Sequence, residues 1–165
     1  MKDLLTRFEK ELPLTEGRRL ILSLQDEPEL ESLIRMFGQY GLELYQNKIS
    51  LGDGDCKKWA HSRVGVEGFD GWRGRHTIVQ NEFKRFKARD ELMTGNLVGY
   101  FNSGSDGSDI TFSHWGVCEE TASGLMILSR WGKQGHVFRH PIELVPEIYG
   151  NFVNYIEVLP TEYNH

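Results

Sequence analysis

The chain has 165 residues, 39% of them apolar and 26% charged, with a net charge of −5. That length supports one domain with a hydrophobic core, and the composition excludes a disordered chain. The acidic balance weighs against nucleic acid as a partner, because phosphate binding needs a basic surface.

The only cysteines are Cys56 and Cys118, too few for a disulfide framework or a Cys-rich zinc site. Met1-Lys2-Asp3-Leu4 opens into a charged amphipathic pattern. No apolar run has the length of an export-signal core or a membrane span, so the cytoplasm is the expected location, with no membrane partner.

In chain order, Leu4, Leu5, Phe8 and Leu12 recur at helical spacing before Pro13. Arg18 to Leu24 reads as a strand, with a helix as the alternative. Asp26 and Pro28 suit the start of a second helix, whose stripe is Leu30, Leu33, Ile34 and Phe37. Leu42 to Ile49 is a candidate strand. Residues 1–50 thus read as an N-terminal α/β extension and 51–165 as the core, together one compact domain.

Asp55 is a candidate N-cap after the turn-rich Gly52-Asp53-Gly54, which puts Cys56 in the first helical position. The partial positive charge and unpaired N–H groups of a helix start favour thiolate over thiol. A buried, inert cysteine is the alternative. Ser62 to Arg75, with Gly65, Gly68, Gly71 and Gly74, reads as a long loop, either lining a cleft beside Cys56 or lying on the surface. Its glycines lack phosphate-loop spacing, and no cofactor is implied. Thr77 is expected to cap a helix through Ile78, Val79, Phe83 and Phe86, ending near Asp90. The basic run Lys84 to Arg89 would be its solvated face.

Beyond Gly95 the pattern changes to short strands between turns rich in Gly, Asn, Asp and Ser. Leu92 to Phe101, a turn feeding a strand, then Asp109 to Cys118, Leu125 to Trp131 and His136 to His140 predict an antiparallel meander, with Phe152 to Leu159 as a last strand. Strict alternation along the second of these puts Ile110, Phe112, His114, Gly116 and Cys118 on one face, with Trp115 and Val117 on the other. His114 is then either a hydrogen-bonded core residue or a catalytic group in a cleft. The expected fold class is α+β, with the meander packed against the helix that carries Cys56.

A cysteine at a helix start, followed by a histidine on an antiparallel strand, is what a thiolate–imidazole pair needs. Three segments carry a resemblance to the NlpC-type and CHAP-type branch of papain-like cysteine amidases and peptidases. Asp55-Cys56-x-x-Trp59-Ala60 resembles the nucleophile helix. Thr94-Gly95-Asn96-Leu97-Val98-Gly99-Tyr100-Phe101 resembles the strand before the catalytic histidine, with Asn96 where the family has Asp. Ser113-His114-Trp115-Gly116-Val117 resembles the histidine strand, with Trp115 where a β-branched residue is common. Ser129-Arg130-Trp131-Gly132, His140 and Tyr149-Gly150 are similar to small bacterial proteins of this layout.

The resemblance implies Cys56 as nucleophile, His114 as base and a third polar group on a later strand. His140 is the first choice for that group and Ser129 the second. Asp55, Trp59, Trp115 and Trp131 would orient or wall the cleft. The implied activity is that of a thiol hydrolase or acyltransferase acting on a peptide, isopeptide or other acyl-amide substrate. The competing reading is a non-catalytic papain-like fold that binds a protein partner as an immunity or regulatory module, which the acidic balance suits. A metal site from His61, His76, His114, His136 and His140 lacks a recognised ligand spacing, because the interval from His136 to His140 suits a helix rather than a strand.

Overall fold

The computed structural model describes residues 8–26, 28–46, 56–66, 85–102, 112–131 and 135–160. In chain order the elements are β1 (Lys10–Glu11), α1 (Glu16–Leu22), α2 (Leu30–Phe37), β2 (Glu43–Gln46), α3 (Cys56–Arg63) and β3 (Phe86–Arg89). They continue with β4 (Leu97–Phe101), β5 (Phe112–Thr121), β6 (Gly124–Trp131), β7 (His136–His140) and β8 (Phe152–Val158). Single 3₁₀ turns occupy Gly38–Tyr40 and Glu147–Tyr149.

The strands form one eight-stranded antiparallel sheet in the order β1-β8-β4-β5-β6-β7-β2, with β3 also paired to β8. The meander from β4 to β7 follows the sequence expectation, and the fold is α+β. The described part of residues 1–50 does not stand apart from it. β1 pairs with β8 and β2 with β7, so the N-terminal region supplies both ends of the strand order.

Four local expectations are corrected. Arg18 to Leu24 lies largely in helix α1, because Thr15 caps it by accepting a hydrogen bond from the Arg18 backbone N–H at 3.2 Å. Lys10–Glu11 is an edge strand rather than the end of a helix. Phe86–Arg89 is likewise a strand, its residues registered against Tyr155 to Val158, with Arg89 ion-paired to Glu157. Helix α2 keeps its expected stripe but starts at Leu30 behind Glu29, not at Asp26. Residues 1–7, 27, 47–55, 67–84, 103–111, 132–134 and 161–165 lie outside the described set, and with them Asp55, most of the glycine-rich segment and the rest of the helix expected from Thr77.

The sheet is covered on both faces. On one, Tyr100, Cys118, Ile127 and Phe138 pack with Leu33 of α2 and Ile21 of α1. On the other, Leu97, Trp115, Val117 and Leu128 pack with Trp59 and Ala60 of α3. Burial on both faces explains why the central strand β4 is apolar along its whole length, whereas β1, β2 and β3 at the edges carry charged residues. The β4–β5 ladder contains a bulge. Tyr100 faces His114 but Phe101 faces Phe112, which leaves Ser113 as the extra residue. Phe112 therefore joins Trp115 on the α3 face, and the expectation that Phe112 and His114 share a face is overturned. Gly99 makes room for this, since a Cβ there would lie 2.5 Å from the Phe112 ring.

The chain turns into β8 at Gly150, whose φ is +109°. An added Cβ would also run into the Phe101 carbonyl group. Gly150→Ala is expected to lower unfolding free energy by about 2–4 kcal/mol in urea denaturation. Gly38→Ala, where nothing lies within 4 Å of the new methyl, is the matched control and should cost under about 0.5 kcal/mol.

Candidate functional site

The structure places Cys56 as the first residue of α3, where the sequence put it. The helical repeat sets Cys56 in the same stripe as Trp59 and Ala60, which are buried against the sheet. The histidine on this side is His61. Its ring meets Trp115 edge-on at 4.8 Å and Phe86 at 5.7 Å. Burial, with Lys57 adding to it, pushes the His61 pKa down to about 3. Trp115 is itself only 2% exposed and fills the space between α3 and β5.

His114 is on the opposite face. Its ring stacks on Tyr149 at 3.7 Å with an interplanar angle of 8°, and lies 5.7 Å from Tyr100. Cys56 and His114 are therefore not brought together: the sheet separates the helix that carries the thiol from the imidazole. His114 is 0% exposed, and neither ring nitrogen has a hydrogen-bond partner among the described residues. Burial holds its pKa well below the usual histidine value, with His140 acting in the same direction.

His140, Ser129 and Trp131 do come together, on the His114 face. His140 Nδ1 lies 2.7 Å from the Pro141 carbonyl oxygen, which can only accept, so Nδ1 carries the proton. The neutral ring then accepts the Ser129 hydroxyl at Nε2, 2.7 Å away. The Trp131 indole N–H donates to the same Ser129 oxygen at 2.8 Å. Both His140 nitrogens are thus engaged, and the ring does not serve as the orienting partner expected for His114. Burial lowers the His140 pKa to about 4 against the opposing effect of the Pro141 carbonyl. The second cysteine, Cys118, is buried on this face, and its thiol is pushed up to about 11 by burial and Glu119.

One organising residue was not singled out from the sequence. Arg18 of α1 is 1% exposed. Its guanidinium donates to the Val145 carbonyl, to the Gly150 carbonyl at 2.9 Å and to Asn151 Oδ1 at 2.8 Å. These oxygens bracket the 3₁₀ turn that carries Tyr149, so Arg18 holds the ring that stacks on His114. An arginine among Leu20, Ile21 and Leu22 was the available signal. Among the described residues, no group of three His, Cys, Asp or Glu side chains is placed to hold a metal ion, and no helix is long and apolar enough to cross a membrane. Comparison with family models, curated proteins and solved structures gives no match.

Replacing Ser129 by Ala would strand the Trp131 N–H and His140 Nε2 in the interior. A loss of about 2–4 kcal/mol is expected in chemical denaturation. His61, His114 and His140 are neutral in the folded chain, whereas the unfolded chain protonates them below their ordinary value of 6.5. Stability is then at its full value above pH 6.5 and falls as the pH drops toward the folded values of about 4 for His140 and about 3 for His61. Each group steepens the loss by about 1.4 kcal/mol per pH unit. The urea midpoint should hold steady from neutrality to about pH 8, below the range where an unfolded thiol ionises, and drop steeply in the acid range. A midpoint that stays flat through that range would contradict the burial of three neutral imidazoles.

Proposed function

We propose that this chain is a non-catalytic module of papain-like layout that works by binding a protein partner. The observation that carries this reading is the facing of β5. Alternation around the Ser113 bulge turns His114 away from α3, and a thiol cannot transfer its proton to an imidazole across a sheet. Trp115 filling the space beneath α3 supports the same reading. The order of elements, a helix beginning at Cys56 followed by an antiparallel meander, supports the layout. The position of Cys56 at the start of α3 is also the observation that favours the alternative, a thiol hydrolase or acyltransferase.

Iodoacetamide labelling of the folded protein separates the two. For a binding module, the rate at Cys56 and its pH profile are the same in the parent chain and in His114→Gln. A Cys56→Ser substitution leaves the His114 ring-proton resonances and their titration unmoved. A labelling rate that falls about tenfold or more in His114→Gln, or a His114 titration that moves in Cys56→Ser, would overturn the proposal. The Cys56→Ser arm keeps the test decisive if His114→Gln unfolds.

A further inference from the structure

The last turn of α3 and the edge strand β2 meet around one tyrosine. Tyr45 sits at an irregularity in β2, where the register against Phe138 and Val137 shifts, and it is 40% exposed. Two guanidinium groups approach its ring, Arg63 at 5.8 Å and Arg139 at 5.2 Å from the centroid. Arg63 also lies 5.5 Å from the centre of the Trp59 ring. The two arginines differ in their charge partners. Arg139 is paired with Glu119 and Glu43. Arg63 is exposed, and among the described residues it has aromatic contacts and no carboxylate.

A guanidinium attracted to aromatic rings by its charge makes no hydrogen bond to them, so its N–H donors stay available, and they can match a carboxylate with two parallel hydrogen bonds. Trp, Tyr and Arg are the residue types that dominate binding hot spots. On a chain of net charge −5, an arginine held by two rings, with no carboxylate beside it among the described residues, is a local positive point. The neighbouring Glu43 and Glu119 disfavour a continuous polyanion, whose charges would extend past the single cation, and leave a discrete carboxylate as the better match. β2 also ends the strand order of the sheet on this side.

We propose that the Arg63–Tyr45 surface at the β2 edge docks an acidic segment of a partner protein, with a carboxylate of that segment taking the Arg63 fork. This inference rests on the protein-binding reading and names the chemistry of the partner. The probe is an acetylated, amidated peptide rich in Glu and Asp, titrated into the full chain at low salt, with its Gln/Asn counterpart as control. The readout is the set of Tyr45 ring-proton resonances, which both Arg63 variants retain. A saturable shift is expected, with a Kd of about 1 mM or tighter. Binding should weaken about tenfold in Arg63→Gln and several-fold in Arg63→Lys, which keeps the charge and loses the fork. The exposed position of Arg63 leaves the fold of both variants intact, which thermal melting verifies. Absence of saturation, equal binding of the Gln/Asn peptide, or unchanged affinity in Arg63→Gln would each overturn the proposal. Failure here leaves the alkylation behaviour of Cys56 untouched, and fast, His114-dependent alkylation leaves this titration untouched, so the two readings fail separately.

Discussion

A guanidinium taken out of water costs several kcal/mol unless its donors are filled, and Arg18 is filled by three oxygens of the segment that joins β7 to β8. Two of the three are backbone carbonyls. That segment has only one 3₁₀ turn of regular structure, so the arginine supplies much of what defines its path. The consequence reaches two elements further. Tyr149 is delivered flat onto His114, and the start of the chain is locked to its end, where β1 also pairs with β8. Removing the arginine's partners would leave a buried charge without compensation, which is why this contact constrains α1, the turn and the β5 face together.

The strands from β4 to β8 were legible because short runs of apolar and β-branched residues between Gly, Asn and Asp turns admit few other folds. The start of α3 at Cys56 was legible from the loop chemistry before it. What could not be read was facing. One extra residue, Ser113, moves Phe112 to the other side of the sheet, and a bulge has no signature in residue type. The run from Arg18 to Leu24 fits either period, and Thr15 followed by Glu16 was the cue that decides for a helix. Phe86-Lys87-Ala88-Arg89 is too short to show a period at all, and its strand form depends on β8, some seventy residues away. The contacts of Tyr45 with Arg63 and Arg139 join separate elements, and no local pattern encodes them.

The residue types that suit catalysis are the same ones that suit a buried polar network, and connectivity tells them apart. A serine nucleophile needs an oxygen that can reach a substrate carbonyl. Ser129 instead donates a hydrogen bond to His140 and accepts one from Trp131, while His140 closes the chain on the Pro141 carbonyl. Every member is satisfied from within, at 0% exposure of Ser129 and His140. Such a network rigidifies a core and specifies one packing. His114 beside it is the exception. Stacking on Tyr149 gives its ring close contact, no hydrogen bond reaches it among the described residues, and a buried imidazole left so costs about 1–3 kcal/mol. That cost persists only while the Arg18-held turn keeps Tyr149 in place. Both faces of the sheet are thus committed to internal packing, one to α1 and α2 and the other to α3. What the core leaves unused lies at the rim, where Arg63 and Tyr45 present donors and ring surface.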